Sequence, residues 1–249
     1  MAMDETSVYF GNQVQTTVEQ RGATSIRVPS TGYDSLRVTC ILSICLGGQK
    51  LPPFLVLKGS NERIEERQSV IIVYATKAWS TQSVIMKWIE RTFPLVYMGS
   101  SRGLLFWDSA STHRAIAMRS FLSSRRIDQV VIPAGMTSYL QSLDIAINKP
   151  FKDSIREEIN DYIEHRMQRN ERGNFVKPSV EELCRWVRNA WDGISTETLW
   201  RALTLGYVGR DVDFSTTFIE DMRGSEHNYS RQTSQMSKVT NLLAKLMMC

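Results

Sequence analysis

Short apolar runs, separated by polar and turn-forming residues, are the first pattern along this 249-residue chain. Runs of this kind, rich in β-branched and aromatic residues, predict buried strands of a sheet. The run at 50–57 contains two adjacent prolines, which suit the entry or the edge of a sheet. The predicted strands and extended segments are residues 1–10, 25–29, 37–46, 50–57, 70–74, 104–107 and 129–133.

Longer stretches with apolar residues on one face predict helices. One begins near the predicted cap Ser80 and carries Trp88 on its apolar face. The longest has Pro150 in its first turn, and its apolar residues recur every four positions. Two further amphipathic helices are predicted at 180–191 and 196–205. Strands followed by helices in this way indicate an α/β fold, with a mixed central sheet and helices on both faces.

Aspartates follow two of the predicted strands. Asp108 comes directly after 104–107, and Asp144 follows 129–133 after a turn-rich link, with 35 residues between the two aspartates. A third, Asp4, lies in the first predicted strand. Because a carboxylate is costly in an apolar core, we expect Asp108 at the carboxyl end of its strand, facing a crevice. That geometry suits a metal or phosphate site, and an ordinary helix-capping aspartate is the alternative.

An ordered series of motifs makes the chain similar to a known family. The motifs are Met3-Asp4-Glu5-Thr6, Lys50-Leu51-Pro52-Pro53 with Lys58-Gly59, Ala78-Trp79 with Trp88-Ile89, Asp108-x-Ala-x-x-His113, Met136-Thr137-Ser138-x-Leu140-Gln141-x-Leu143-Asp144, and Lys149-Pro150-Phe151-Lys152. With these motifs the chain resembles, over residues 3–205, the catalytic domain of pogo/Tigger-type transposases. Those proteins are DDE superfamily endonucleases of the Tc1/mariner/pogo group.

The resemblance implies an RNase H-like fold, in which helices flank a mixed five-stranded sheet. A DDE catalytic domain would then occupy residues 1–172, with a truncated first strand. A helical carboxyl-terminal extension would follow at 173–221, and a polar, poorly ordered tail at 222–249. We also expect the family's amino-terminal helix-turn-helix region to be missing, as in a fragment or a remnant that has lost its targeting module.

The resemblance also implies a reaction. Three acids in this family converge to hold divalent metal ions, and by position they are Asp4, Asp108 and Asp144. These residues would be the catalytic and metal-binding set for two Mg²⁺ or Mn²⁺ ions, with Asp108 shared between the ions. The implied protein binds DNA, can form a homodimer in the nucleus, and cleaves or transfers DNA strands. The alternative, favoured by the truncated strand and missing targeting region, is a domesticated, inactive nuclear module that binds DNA or proteins.

Three further side chains are candidates for positioning a phosphate or a ligand-bound water: His113, Lys58 and Lys149. Alternatively, His113 is a buried histidine with satisfied hydrogen bonds in the first turn of a helix, and the lysines are ordinary surface residues. Glu5, beside the first acid, is interpreted as a surface residue at a strand edge.

The charge distribution supports a phosphate partner more than the total charge does. The whole chain carries a net charge of +4, but residues 101–150 hold six Lys or Arg residues against three acids. Positive charge beside the aspartates is expected if phosphate passes nearby. A solvated helix face carrying the same arginines is the alternative. Trp79 and Trp88 predict packing between helix and sheet, with base stacking as the alternative.

Composition excludes several other classes. The chain is 42% hydrophobic and 22% charged, as globular proteins are, and it contains no apolar run of the roughly 20 residues needed to span a bilayer. Its four cysteines lack the paired spacing of zinc sites and predict free thiols. We therefore expect neither a membrane partner nor a small-molecule cofactor.

Overall fold

A seven-stranded mixed sheet lies at the centre of the computed structural model, which describes residues 1–9, 37–45, 48–95, 102–171 and 176–203. Its strands are β1 (Ala2–Tyr9), β2 (Arg37–Ile44), β3 (Phe54–Lys58), β4 (Arg63–Arg67), β5 (Val70–Ala75), β6 (Gly103–Trp107) and β7 (Ile127–Val131). Their order across the sheet is β4-β5-β3-β2-β1-β6-β7. Strand β1 is central, because it pairs antiparallel with β2 and parallel with β6.

The predicted mixed α/β class is confirmed, but the sheet has seven strands instead of five. Strand β5 corresponds to the run predicted at 70–74 and pairs parallel with β3, whereas β4 was not predicted and pairs antiparallel with β5. Residues 63–67 form a strand despite their charges because β4 lies at the sheet edge, where polar side chains reach solvent. The predicted strand at 25–29 lies outside the described residues.

Eight α-helices are described: α1 (Gln82–Thr92), α2 (Ser111–Arg114), α3 (Ile116–Ser124), α4 (Thr137–Leu140), α5 (Ser142–Ala146), α6 (Asn148–Asp161), α7 (Val180–Gly193) and α8 (Thr196–Leu203). The cap of α1 is Thr81 instead of the predicted Ser80, because the Thr81 hydroxyl accepts the Val84 N–H. The predicted long helix is α6, which a π-helical turn at Tyr162–Arg166 extends. None of the described helices is both long and apolar enough to cross a bilayer.

Two apolar clusters cover the two faces of the sheet. One contains residues of α5, α6, α7 and α8 together with Ala2 and Phe106. The other contains residues of α1 and α3 together with Met3 and Trp107. Successive residues of β1 and β6 thus face opposite clusters, as the pleat of a strand requires. The expectation of helices on both faces is confirmed.

Helices α7 and α8 belong to the core of the sheet. Trp186 and Trp191 of α7 are each only 1% exposed. The Trp191 indole N–H donates to the Leu51 carbonyl at 2.8 Å, and its ring packs edge-on against Phe151. The described part of the predicted 173–221 extension therefore packs on the same sheet as the strands. Residues 204–249, which include the predicted tail, lie outside the described part.

A lysine fastens the end of α7 to the sheet. The Lys50 ammonium donates to the carbonyl oxygens of Trp191 at 2.7 Å, Asp192 at 3.1 Å and Ile194 at 2.8 Å. A helix leaves its last carbonyls without intrahelical partners, and its dipole is negative at that end. A cation there satisfies both requirements.

The prediction that two tryptophans pack between helix and sheet is correct for one of them. Trp88 is completely buried in the cluster under α1, in agreement with packing between helix and sheet. Trp79 is 57% exposed, so the same prediction is wrong for it. Trp79 precedes α1, and its ring contacts the cationic groups of Arg37 and Lys77 instead of the core.

Candidate functional site

Strand pairing brings Asp4 and Asp108 to the same level of the sheet. Ala2 of β1 pairs with Phe106 of β6, and each aspartate lies two residues further along its parallel path. Asp4 is within β1 and is only 8% exposed. Asp108 follows β6 directly, at the strand's carboxyl end as predicted. The register, therefore, makes the two carboxylates neighbours although they are distant in sequence.

An asparagine links Asp144 to Asp4. Asp144 is exposed on α5, and Asn148 is buried at the beginning of α6. The Asn148 amide nitrogen donates to Asp144 Oδ1 at 2.8 Å and also to Asp4 Oδ2. Burial, together with the negative charge of Asp144, raises the pKa of Asp4 to about 7, against the effect of the Asn148 hydrogen bond. The charge of Asp108 raises the pKa of Asp4 further, by a smaller effect.

Asp108 is fixed by two donors. Its Oδ1 atom accepts the Ala110 N–H at 3.0 Å and lies 2.7 Å from His113 Nδ1. Burial would raise the pKa of Asp108, but the hydrogen bonds from His113 and Ala110 hold it below its usual value. Asp108 thus also serves the turn into α2, so the capping alternative and the site hypothesis are both compatible with its position.

His113 lies beneath the site in a closed environment. Its ring is 2% exposed and stacks on Trp107, with centroids 4.1 Å apart and planes 5° from parallel. Its second nitrogen, Nε2, lies 3.3 Å from Glu5 Oε1. Burial lowers the pKa of His113, but hydrogen bonds to Asp108 and Glu5 outweigh burial and raise it to about 9. The contacts favour a satisfied buried histidine, and Glu5 is its partner instead of an isolated surface acid.

The two candidate lysines differ in position. Lys149 directly follows Asn148, but its ammonium is 85% exposed and pairs with Asp153 at 2.6 Å. Lys58 is exposed at the end of β3, which β2 separates from β1. Lys149 is therefore next to the asparagine that bonds Asp4 and Asp144. Lys58, in contrast, lies on a strand two positions away from the strand that carries Asp4.

The carboxylates are chemically suited to a divalent ion. Carboxylate oxygens are the hard ligands that Mg²⁺ and Mn²⁺ take. The raised pKa of Asp4 reflects burial first and the charges of neighbouring aspartates second, and a bound cation would favour the ionised form against both effects. Within the described ranges, no three His, Cys, Asp or Glu side chains already form a cluster that could hold a metal ion. In this arrangement, Asn148 and His113 occupy oxygens of all three aspartates.

Comparison with known proteins identifies the family. A family model described as DDE superfamily endonuclease matches residues 35–202, which is more than half of the chain. The chain belongs to the DDE superfamily endonucleases. The resemblance inferred from the sequence motifs is therefore confirmed, and the expected mixed α/β class agrees with the observed sheet.

Curated relatives of the DDE domain carry the pogo name. The chain is 25% identical over 225 residues to the mouse protein "Pogo transposable element with KRAB domain" and 28% identical over 214 residues to its human counterpart. These matches cover 89% and 84% of this chain but 37% and 35% of the relatives. The chain thus spans about a third of the length of the curated relatives it matches.

Solved structures resemble the DDE domain more distantly. The "Crystal structure of the Mos1 mariner paired end complex with Mn" aligns with a TM-score of 0.49 and 14% identity, covering 82% of this chain and 52% of that chain. The "Mos1 transposase paired-end complex with left transposon end" aligns with a TM-score of 0.44 and 15% identity, covering 82% of this chain and 51% of that chain. The family assignment rests on the sequence match.

Sequence reasoning missed Asn148 and the partnership of Glu5 with His113. A local signal exists for Asn148, because it stands four residues after Asp144, the spacing at which helical side chains meet. No local signal exists for Glu5, whose contact depends on how β1 lies against the turn that follows β6.

Proposed function

We propose that this chain is a DNA-binding, pogo/Tigger-type DDE domain that cleaves or transfers DNA strands with Mg²⁺ or Mn²⁺. Asp4, Asp108 and Asp144 are the residues that hold the ions. The observation that carries the proposal is the placement of these carboxylates: Asn148 donates hydrogen bonds to both Asp4 and Asp144, and the pairing of β1 with β6 places Asp108 beside Asp4 in the sheet. Carboxylates are costly to gather without a cation, which makes such a gathering a candidate functional site.

The protein's own contribution is to hold and orient the carboxylates. Bound divalent ions, two in number, supply activation of the attacking oxygen and stabilisation of the leaving oxygen at phosphorus. Asp4 is held rigidly because it lies inside a central strand. His113 orients Asp108, and Glu5 in turn holds the histidine ring. Lys149, at the exposed start of α6, is available to a DNA phosphate.

A second candidate function is a domesticated nuclear module that binds DNA or proteins without turnover. It is favoured by one feature of the site: the described carboxylates are engaged by Asn148 and His113 and do not form a ready-made metal cluster. The names of the mouse and human relatives also join the pogo element to a KRAB domain. For either function we propose a nuclear protein that can form a homodimer.

A nicking assay separates the two functions. Supercoiled plasmid is incubated with Mn²⁺ or Mg²⁺ and the wild type, Asp108→Ala or the matched control Asp128→Ala. Asp128 is an exposed carboxylate on β7 that pairs with Arg102, so its loss leaves the site intact. We expect nicking by the wild type and the control, none by Asp108→Ala, and none with a chelator present.

Other results would redirect the conclusion. Equal nicking by Asp108→Ala and the wild type would show that these carboxylates do not carry the reaction. Absence of nicking by the folded wild type, with DNA binding that weakens as salt rises, would favour the inactive nuclear module.

A further inference from the structure

In the described part of the chain, Asn148 donates hydrogen bonds to two of the proposed ligands. It begins α6 and is only 6% exposed. Its single amide nitrogen donates to both Asp4 and Asp144. The two hydrogens of a primary amide can satisfy two acceptors at once, and here both acceptors are carboxylates. Asn148 therefore fixes the distance between an acid of the sheet and an acid of a helix.

The other end of the same amide has unused bonding capacity. Asn148 Oδ1 is buried and has no hydrogen-bond partner in the described part of the chain. The same is true of both polar atoms of the Gln141 side chain and of the Ser142 hydroxyl, which lie on the other side of Asp144 in sequence. Buried polar atoms without partners are rare and call for a water or an ion. The segment around Asp144 therefore contains buried polar atoms that the described residues do not satisfy and that a water or an ion could satisfy.

Asp144 needs such a restraint more than Asp4 does. Asp4 lies within a strand and is buried, so its carboxylate has little freedom. Asp144 is exposed, and like charges repel, so without the amide its side chain would turn toward solvent and away from Asp4. A metal ion would then have to order that side chain again on binding, at a cost in conformational entropy.

We propose that Asn148 is a positioning residue of the carboxylate site, which holds the Asp144 side chain beside Asp4 and thereby strengthens binding of a divalent cation. This inference rests on the proposed function, because it takes the three aspartates as the metal-binding set. Groups that orient metal ligands through hydrogen bonds change metal affinity by roughly 10–100-fold when they are removed.

The test measures binding of Mn²⁺ alone, without DNA, by the electron paramagnetic resonance signal of free Mn²⁺. The variants are Asn148→Ala and Asn148→Leu, the second of which preserves volume where the first leaves a cavity. Asn189→Ala is the matched control, because it removes an exposed asparagine amide of α7 that donates to Glu158 of α6. Asp108→Ala reports whether the bound Mn²⁺ is at the carboxylates. All are measured well below their melting temperatures, so that a fold defect does not affect the result.

We expect both Asn148 variants to bind Mn²⁺ about 10–100-fold more weakly, Asn189→Ala to bind like the wild type, and Asp108→Ala to lose binding. Wild-type affinity in either folded Asn148 variant, with binding lost in Asp108→Ala, would overturn the role of Asn148 and leave the proposed metal site standing. No Mn²⁺ binding by the wild type, or binding that Asp108→Ala leaves unchanged, would overturn the metal site and this inference with it.

Discussion

His113 is almost fully buried, yet two carboxylates stabilise its charged form. Its pKa is raised to about 9, above the ordinary value of 6.5. A raised histidine pKa contributes stability that is complete below about pH 6.5 and is lost as the pH rises toward about 9. We expect the free energy of unfolding of the metal-free protein to fall across this range, by on the order of 2 kcal/mol from this group. Urea titrations at both ends of the range measure it.

The variant His113→Gln should lose this part of the pH dependence. His165→Gln is the matched control, because His165 is exposed and pairs with Asp161 on the same helical surface. If His113→Gln keeps the wild-type slope between pH 6.5 and 9, the ring is not the group that titrates there.

Asp4 should be destabilising in the metal-free protein at neutral pH. Its pKa is raised to about 7, first by burial and then by Asp144. The neutral form is favoured in the fold, so the contribution of Asp4 to stability is complete below about pH 4 and is lost as the pH rises through about 7. Asp4→Asn keeps the shape and stays neutral, and it should therefore melt at a higher temperature than the wild type at pH 8.

Calorimetry with and without Mn²⁺ checks this expectation. The wild type should gain melting temperature from the metal, whereas Asp4→Asn should gain little, because it lacks one ligand. Asp128→Asn, which removes an exposed ion pair with Arg102, should leave both quantities nearly unchanged. A lower melting temperature for Asp4→Asn at pH 8 without metal would contradict the argument.

The sequence predicts three aspartates as the candidate site but does not predict the residues that contact them. Asp108 and Asp144 follow apolar runs, and the family motifs mark all three acids. The contacts of Asn148 and Glu5 with partners 144 and 108 residues away depend on the register of β1 and the docking of α6. Pairings of that kind are properties of the assembled sheet, and no local pattern encodes them.

At the scale of elements, the Lys50 side chain bonds the carbonyl oxygens at the end of α7. Lys50→Met keeps the apolar stem but removes three hydrogen bonds to helix-terminal carbonyls. We expect a loss of about 2 kcal/mol in the free energy of unfolding, since hydrogen bonds to charged groups contribute roughly 1.5–3 kcal/mol. Lys149→Met, at an 85% exposed position, should cost far less, and chemical denaturation compares the two.

Local patterns predicted elements better than their ends or their neighbours. Apolar periodicity predicted helices α6, α7 and α8. The pattern is present because one face of each helix packs against the sheet. Strand β4 was missed because an edge strand can be polar, so its sequence resembles an exposed loop. The pairing of β5 with β3 could not be inferred either, since strand order depends on connections that leave no trace in either strand alone.

At the scale of the molecule, α7 and α8 share one hydrophobic cluster with the sheet. Trp191→Ala should therefore lower the melting temperature of the whole described unit in one transition, at a cost of about 3–5 kcal/mol. Trp200→Ala is the control, because Trp200 is 51% exposed. Circular dichroism of the helices and fluorescence of the remaining tryptophans should give the same midpoint. Two separate transitions would mean that α7 and α8 unfold as a unit of their own.

Strand β1 joins the two halves of the sheet, with β2 on one side and β6 on the other. Any descendant of this domain that still folds must keep this strand, but folding places no demand on the aspartate at its third position. Without selection for strand transfer, replacement of Asp4 by a neutral residue would increase stability, because a buried carboxylate would be removed. Among duplicated copies, therefore, the identity of this single residue would record retained chemistry more faithfully than survival of the domain itself.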